Sequence, residues 1–307
     1  MPKKLFLPYL SIIFANLTIG LSYFFTIISL RHATPFEGLA YRFFFAFCFV
    51  IILRILKIIN FSIALKDIVQ ILPIAILYPC MFFAFQAFGL ENISSVEASV
   101  IMSLTPIFTL VFSEIFLNEK TTISQKLLIL ISVITIVCVL ILDFLKSDGN
   151  FKFSPLGITL ILISALSNSA YVVLLKSYGS KFEPTKIVFL ISIVGVVVFL
   201  PLGILFTKNI SSFFHLILNL EFVFSNLFLS IFTNFMTIIL FAYSLRYIQA
   251  FKIGIFANLS TIVALFVGVL FLDENLRFYY IIATIIIIFC VTKLNLTKEK
   301  NETLHCS

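Results

Sequence analysis

The stretch AFGLENISSVEASVIMSLTPIFTLVFSEIFLNE, residues 87–119, occurs twice in this chain. Moved forward by 155 positions without a gap, it falls on AYSLRYIQAFKIGIFANLSTIVALFVGVLFLDE, residues 242–274. Both copies end on Leu-x-Glu, at Glu119 and at Glu274, and identities recur along them. The identical pairs are Ala87/Ala242, Leu90/Leu245, Ile93/Ile248, Leu104/Leu259, Leu110/Leu265, Phe116/Phe271, Leu117/Leu272 and Glu119/Glu274. The unbroken register indicates an internal repeat.

The composition around the repeat is that of a membrane protein. Hydrophobic residues make up 61% of the 307, charged residues 11%, and the mean hydropathy is +1.18. Soluble domains have about 45–50% apolar and about 25% charged residues. The five Cys show neither a C-x-x-C pair nor a Cys/His spacing, so we expect no disulfide frame, no zinc site and no cofactor.

The apolar runs, cut at gaps that contain charges, Pro, Asn or Gly, predict ten transmembrane spans, since about 20 residues cross a bilayer. The first run follows Lys3 and Lys4 and is too long for a signal peptide, so we interpret it as a retained span. The predicted spans, numbered one to ten below, are 6–30, 36–57, 68–90, 95–117, 122–144, 155–177, 185–207, 220–245, 249–272 and 276–294.

The distribution of Lys and Arg predicts the orientation. With both termini in the cytoplasm, 15 of the 21 basic residues face inward and five outward, which agrees with the positive-inside rule. The isoelectric point near 9.1 is then a sign of topology and requires no nucleic-acid partner.

Five spans separate the two copies of the opening stretch, so the copies cross the membrane in opposite directions. A second sequence match supports the repeat: Tyr23, Ser29 and Pro35 align with Tyr171, Ser177 and Pro184. Inverted repeats are typical of secondary transporters, which bind substrate near the midplane where the halves meet. We therefore predict an all-α polytopic membrane protein with two inverted five-helix repeats, 1–145 and 146–295, and a cytoplasmic tail, 296–307.

These features together resemble the EamA-like branch of the drug/metabolite transporter superfamily. The features are the five-plus-five spans, Pro35 followed by Arg42 in span two, and the acidic ends LNE at 117–119 and LDE at 272–274. The resemblance implies a bacterial inner-membrane exporter or exchanger of small metabolites, often amino acids. It also implies a central cavity lined by spans one, three, four, six, eight and nine.

Polar residues inside the spans are the candidates for that cavity, because polar groups in a membrane tend to face the bundle interior. Ser103, Thr105 and Pro106 form a polar step in span four, and Asn258 and Ser260 occupy the paired place in span nine. Interhelical packing by small residues is the alternative role for this step. The other cavity candidates are Asn16, Tyr23, Gln86, Asn168, Tyr171 and Asn234.

Charged residues in or beside the spans are assigned structural or gating roles. Arg42 is interpreted as a structural anchor, with Glu37 as a conceivable partner. Glu114 could pair with Lys120 or Lys126, or take part in proton coupling. Glu119 and Glu274 are interpreted as helix caps or gate elements, and Pro106 as a hinge.

Other functions were weighed on the same residues. The three His lie in loops or the tail, and no hydrolase motif occupies a span, so we expect no enzyme. A carrier or flippase of lipid-linked or nucleotide-linked sugars, or a drug exporter, stays open as an alternative, although such anions favour several basic residues in the cavity. The expected partners are a small-molecule solute and the lipid bilayer, with homodimer formation left open.

Overall fold

A computed structural model describes residues 3–62, 64–117, 122–145, 154–178, 181–207, 209–245, 247, 250–274 and 277–305. Throughout these ranges the regular structure is helical, and none of their residues lies in a strand. Within the described ranges, seven helices are long and apolar enough to cross a membrane, and three shorter apolar helices lie in predicted spans five, nine and ten. The prediction of an all-α polytopic membrane protein is confirmed.

The helices follow the predicted spans closely. In the first half they are Lys3–His32, Pro35–Ile55, Leu65–Ala75 continued by Ile76–Phe83 and Ala84–Leu90, Ser95–Met102 followed by Thr105–Leu117, and Ile123–Leu145. In the second half they are Pro155–Tyr178, Pro184–Leu205, Leu220–Phe228 continued by Leu229–Met236 and Thr237–Leu245, Ala250–Phe271, and Phe278–His305.

Capping residues explain where spans two and four begin. Thr34 precedes Pro35 and forms a capping box with Glu37, whose carboxylate accepts from the Thr34 backbone N–H at 2.8 Å. Ser94 and Glu97 form the same box ahead of span four, at 2.9 Å. Each box satisfies backbone donors that the first helical turn leaves without partners.

Helix packing has the same pattern in both halves. Span two packs against span seven, and span five against span ten, so each of these pairs joins equivalent helices. Span one packs against spans eight and nine, while span six packs against their counterparts, spans three and four. Exchanging the halves therefore leaves the main helix contacts unchanged, as two equivalent halves would require.

The largest hydrophobic cluster lies between spans two and seven. Phe43 and Phe199 stack with ring centroids 5.5 Å apart, and both side chains are fully buried. Gly195 makes this possible, because a Cβ there would lie 2.3 Å from Cγ of Phe43. The close contact of spans two and seven holds Arg42, one residue before Phe43, inside the bundle.

Four features differ from a set of ten uninterrupted α-helices, and one of them is the break in span four between Met102 and Thr105. Spans three and eight contain π-helical segments, Ile76–Phe83 and Leu229–Met236. Part of the predicted loop 208–219 forms a short helix, Ile210–His215, because Asn209 caps it and Phe213 is buried beneath it. The last helix continues to His305, past the predicted end of span ten at 294, since no Pro or Gly interrupts the run that follows.

Candidate functional site

A pocket with a mostly apolar wall and a few polar groups lies where spans one and three end and spans two and eight begin, the side of the bundle that the basic residues predict to be outer. It is small: the enclosed space has a volume of about 20 Å³, room for about one water molecule. We refer to it as the Arg42 pocket. It is lined by Thr26, Ser29, Leu30, Pro35, Gly38, Leu39, Arg42, Phe83, Gln86, Ala87, Asn226 and Leu229. Spans of both halves thus contribute to its wall.

Arg42 is the only Lys or Arg whose side chain is buried among the described residues, at 3% exposure. Its Nη2 donates to Oδ1 of Asn234 at 3.1 Å, and its guanidinium carbon lies 3.7 Å from the centroid of the Phe83 ring. An arginine at the centre of a span costs about 2.5–3.5 kcal/mol on insertion scales. A desolvated cation–π contact contributes about 2 kcal/mol, so these neighbours offset part of that cost.

Glu37, the conceivable partner of Arg42, binds Thr34 and Thr207 instead. One carboxylate oxygen of Glu37 accepts from the N–H and hydroxyl of Thr34, both at 2.8 Å, and the other accepts from the Thr207 hydroxyl at 2.6 Å. Because Glu37 is in the first turn of span two, its carboxylate completes the cap there and ties spans two and seven together. The guanidinium is left without a carboxylate among the residues described.

An aromatic wall continues from Phe83 to span six. The Tyr78 ring lies 4.9 Å from that of Phe83 and stacks on Tyr171 at 4.2 Å. Tyr171 was predicted to line a cavity, and the structure places it in this wall, buried against span three. On the other side of the pocket, Tyr23 of span one interacts with the side chain of Gln86. Tyr23 and Gln86 were both predicted as cavity residues, and they meet here.

The two π-helical segments determine this geometry. Tyr78 and Phe83 belong to the segment in span three, whereas Asn234 belongs to that in span eight. π-Helical turns are rare and frequently occur at functional sites. Pro79 interrupts regular α-helical bonding in the first segment, and the Ser164 hydroxyl of span six donates to its Phe82 carbonyl at 2.9 Å.

Span eight has no proline in its π segment, and its polar side chains bond to the backbone instead. The Ser230 hydroxyl donates to the carbonyls of Asn226, at 2.5 Å, and of Arg42, at 2.6 Å. Thr237 donates to the Thr233 carbonyl. Hydroxyls that bond back to a helix carbonyl loosen the regular pattern, which accounts for the local widening. The Ser230 contact also joins span eight directly to span two beside the guanidinium.

The predicted polar step in span four is a real interruption of the helix, between Met102 and Thr105. Its hydroxyls are directed to the chain's own backbone, however: Ser103 donates to the Val100 carbonyl at 2.5 Å and Thr105 to the Met102 carbonyl at 2.6 Å. Pro106 is half-buried beside them. The Thr105 carbonyl accepts from Ser169 of span six at 3.0 Å. The step therefore joins spans four and six and does not line the Arg42 pocket.

The remaining predicted cavity residues also lie away from the pocket. Asn16 is buried in span one and donates to its own helix, at the Ile12 carbonyl, at 2.8 Å. Asn168 and Ser260 are half-buried, and neither lines the pocket. The side chain of Asn258 lies outside the described residues. Spans one, six and nine thus contribute less to the polar pocket than their sequences predicted.

The acidic end residue Glu274 is a helix cap. Its carboxylate accepts from the backbone N–H groups of Ser95 and Val96, both at 2.9 Å, and from the Ser95 hydroxyl at 2.8 Å. Span nine ends one turn earlier, and Asp273 has a left-handed φ of 53° that turns the chain back toward span four. We refer to this contact as the Glu274 clamp. It holds the ends of spans four and nine together.

Another acidic candidate, Glu114, lies at the opposite end of the bundle. Glu114 is part-exposed and has an oxygen 3.8 Å from Nζ of Lys126, one of its two predicted partners. Such an exposed pair contributes little stability. Glu119 lies outside the described residues, so its predicted role stays a prediction.

Sequence reasoning missed Asn226, Ser29, Tyr78 and Phe83. A signal for Asn226 was present, because polar residues recur in span eight at positions 226, 230, 233, 234 and 237, the spacing of one helical face. The aromatic residues had no such signal in a chain with 39 Phe. Among the described residues, no group of three His, Cys, Asp or Glu could hold a metal ion.

Comparisons with known proteins place the chain among transporters. The profile of the EamA-like transporter family matches residues 6–141 and again residues 155–296. An uncharacterized transporter of Bacillus subtilis, YcxC, is 34% identical over 95% of this chain and 94% of its own length. An uncharacterized transporter of Archaeoglobus fulgidus is 28% identical over 69% of this chain and 71% of its own length. A crystal structure covering 96% of this chain and 98% of its own shares the fold, with a TM-score of 0.65 at 14% identity.

Proposed function

The chain belongs to the EamA-like transporter family, and we propose that it carries small metabolites such as amino acids across the bacterial inner membrane by alternating access. Family membership establishes a transporter. The substrate class, the mechanism and the membrane are what we propose. The proposed transporter is an exporter or exchanger. Both of its termini lie in the cytoplasm, as the distribution of basic residues predicts.

The observation that carries the proposal is the Arg42 pocket between the two halves. Its wall combines apolar side chains with a few polar groups from spans one, two, three and eight. Small-molecule sites typically have this mixture. In inverted-repeat transporters the substrate lies where the repeats meet, so that rocking of one half against the other exposes it to each side in turn.

The alternating motion needs helices that can bend near the site. The π-helical segments of spans three and eight and the interruption at Ser103 and Leu104 of span four supply such places. All three lie in mid-span, next to contacts between the halves. A π-helical turn changes the helical register locally. The part of span three or span eight on one side of the turn can therefore move without unfolding the part on the other side.

The alternative substrates are less well matched by the charges. A nucleotide-linked or phosphorylated sugar carries at least two negative charges, and sites for such groups use several Lys or Arg. Arg42 is the only one buried among the described residues. A single cation suits a solute with one negative group, or a zwitterion.

Transport by purified protein in proteoliposomes tests the proposal. Counterflow of radiolabelled L-amino acids is measured for the wild type, for Gln86→Leu in the pocket wall, and for Gln70→Leu, an exposed change of the same kind in span three. We expect at least one amino acid to exchange, with a large loss in Gln86→Leu and none in Gln70→Leu. Failure of every amino acid to exchange, while a sugar conjugate or a drug does, would refute the substrate class.

A further inference from the structure

Span two ends in a turn with two basic residues, on the side of the bundle that is predicted to face the cytoplasm. Lys57, just past the end of the helix, has a left-handed φ of 57°. Its backbone N–H donates to the Arg54 carbonyl at 3.0 Å, and that of Ile58 donates to the Leu53 carbonyl at 3.0 Å. These two bonds form a Schellman motif, in which glycine usually occupies the left-handed position. We refer to residues 54–58 as the Lys57 turn.

A lysine at the left-handed position works against the stability of the fold. A residue with a Cβ is strained in this region, whereas glycine adopts it freely. The Lys57 side chain is exposed and makes no hydrogen bond or ion pair with any residue that the structure describes, so it does not offset the strain. Backbone strain that the fold itself does not use is a reason to look for a function. At this position the function would lie in the positive charge.

Arg54, three residues earlier, is held in place by an aromatic ring. Its guanidinium carbon lies 4.7 Å from the centroid of the Phe61 ring. Phe61 is buried and packs on Phe189 of span seven, with ring centroids 4.9 Å apart. A guanidinium over an aromatic face keeps its N–H donors along its edge. Arg54 is exposed, so these donors are open to a ligand outside the protein.

The charge of the Lys57 turn has no acidic partner nearby in the chain. The sequence RILKIINFSIALK, residues 54–66, contains three basic residues and no acidic one. Asp67, which follows it, binds Nζ of Lys186 at 2.8 Å. Lys126, another basic residue predicted on this side, has a carboxylate oxygen of Glu114 at 3.8 Å. Lys186 and Lys126 thus have carboxylates beside them, whereas the turn needs a negative group from outside the chain.

Exposed apolar side chains adjoin the two cations of the turn. Ile52, Ile55 and Leu56 lie on one face of the helix end, and Ile58 follows the turn. All four are more than half exposed. Exposure of such side chains to water is unfavourable, so at the end of a membrane span we expect them to lie among the acyl chains of the inner leaflet. Lysine and arginine side chains at this depth extend to the headgroups.

We propose that the Lys57 turn is a binding site for an anionic phospholipid of the inner leaflet. The lipid phosphate accepts from the Arg54 guanidinium and pairs with the Lys57 ammonium, while an acyl chain packs on Ile52, Ile55 and Leu56. Because this apolar surface continues the site, a phospholipid fits it better than free inorganic phosphate. A zwitterionic phospholipid carries its own cation beside the phosphate and is therefore attracted less strongly by two basic residues. The site does not depend on which solute the protein carries.

Native mass spectrometry of the full-length protein, delipidated in a non-ionic detergent, tests the inference directly because it counts each bound lipid. The probes are phosphatidylglycerol, which carries one negative charge, and phosphatidylcholine with the same acyl chains. A single Lys or Arg near an anionic lipid surface strengthens binding by about fivefold. With two such residues, we expect the wild type to bind its first phosphatidylglycerol about tenfold or more tightly than phosphatidylcholine. Equal affinities for the two lipids would overturn the inference.

Lys57→Gly separates lipid binding from stability of the fold. Glycine relieves the strain at this φ, so we expect the unfolding temperature in detergent without lipid to rise by about 2 °C. Unfolding is followed with a thiol-reactive dye, since the chain has five Cys and no Trp. The same variant lacks one cation, so its affinity for phosphatidylglycerol should fall by about fivefold. A more stable protein that binds the lipid equally well would overturn the inference.

Three further variants distinguish this site from a general attraction to a basic surface. Arg54→Gln removes the other cation without a change of backbone, and its affinity should also fall by about fivefold, whereas Lys57→Arg keeps the charge and should bind as the wild type does. Lys126→Gln is the matched control, because it removes an exposed lysine on the same side that has Glu114 beside it. We expect its affinity to be unchanged. A loss in Lys126→Gln as large as in Arg54→Gln would overturn the assignment of a site to the turn.

Inorganic phosphate distinguishes a lipid site from a site for a free anion. In the unfolding assay we expect phosphatidylglycerol to raise the unfolding temperature of the wild type, because the bound lipid restrains Arg54 and, through it, the Phe61 ring against span seven. Inorganic phosphate at the same concentration has no acyl chain and should have no such effect. Equal stabilisation by phosphate, lost in Arg54→Gln, would show a site for the free anion and overturn the lipid site.

Discussion

The Glu274 clamp gives the most direct test of how the two halves are joined. The Glu274 carboxylate, which follows span nine, accepts three hydrogen bonds from the start of span four, at 2.8–2.9 Å. Two of them come from Ser95 and Val96 backbone N–H groups that the first turn of a helix cannot satisfy. We expect Glu274→Ala to leave these donors unpaired in a part-buried place.

The size of the effect follows from those bonds. A hydrogen bond to a charged group contributes about 1.5–3 kcal/mol, and water can reach part of this site, so we expect Glu274→Ala to lower the free energy of unfolding by about 2–4 kcal/mol. Glu274→Gln keeps an acceptor without the charge and should lose about 1 kcal/mol. The measurement is reversible unfolding in mixed micelles as the fraction of sodium dodecyl sulfate rises.

Gly268 supplies an independent route to the same contact. A Cβ at this position would lie 2.7 Å from both Oε2 of Glu274 and the Ser95 hydroxyl, so Gly268→Ala must displace the carboxylate. Its effect therefore depends on the clamp being present. In a double-mutant cycle we expect a non-additivity of about 1–2 kcal/mol between Gly268→Ala and Glu274→Ala.

Glu221→Ala is the matched control at the same end of the bundle. Glu221 pairs with His32 at 2.9 Å, but its side chain is 71% exposed, so its loss should change stability by about 0–1 kcal/mol. A loss in Glu274→Ala no larger than in Glu221→Ala would refute the reasoning. Strict additivity of Gly268→Ala and Glu274→Ala would refute it as well.

Two further predictions concern the packing around span two, and both are measured by the same unfolding assay. Gly195→Ala would bring a Cβ to 2.3 Å from the Phe43 ring and should destabilise by about 1–3 kcal/mol, with partial recovery when Phe43→Leu makes room; no recovery would contradict this account. Tyr41→Phe removes a buried hydroxyl that donates to the Phe213 carbonyl at 2.8 Å and should cost about 1 kcal/mol, whereas the exposed Tyr247→Phe should be neutral. Equal effects of the two tyrosine changes would contradict a role for that bond.

Parts of the site were predictable because they depend on local pattern. Burial of Tyr23, Gln86 and Asn234 follows from their being polar or amphipathic residues in apolar runs, and the structure brings all three to the neighbourhood of Arg42. The sequence also predicts the polar step at Ser103 and Thr105. It does not predict what the hydroxyls bind, because a hydroxyl near a helix break can donate to its own backbone as readily as to a ligand.

The sequence by itself determined the all-helical membrane architecture and the internal echo of residues 87–119 in 242–274. Hydropathy along a run of about 20 residues is a local property, and so are the caps at Thr34 and Ser94. Only the tertiary structure decided which polar groups meet. Arg42 and Asn234 are 192 positions apart, and Ser95 and Glu274 are 179 apart. Such contacts form when helices of the two halves pack, and each buried polar group then takes whichever partner the packing brings within reach.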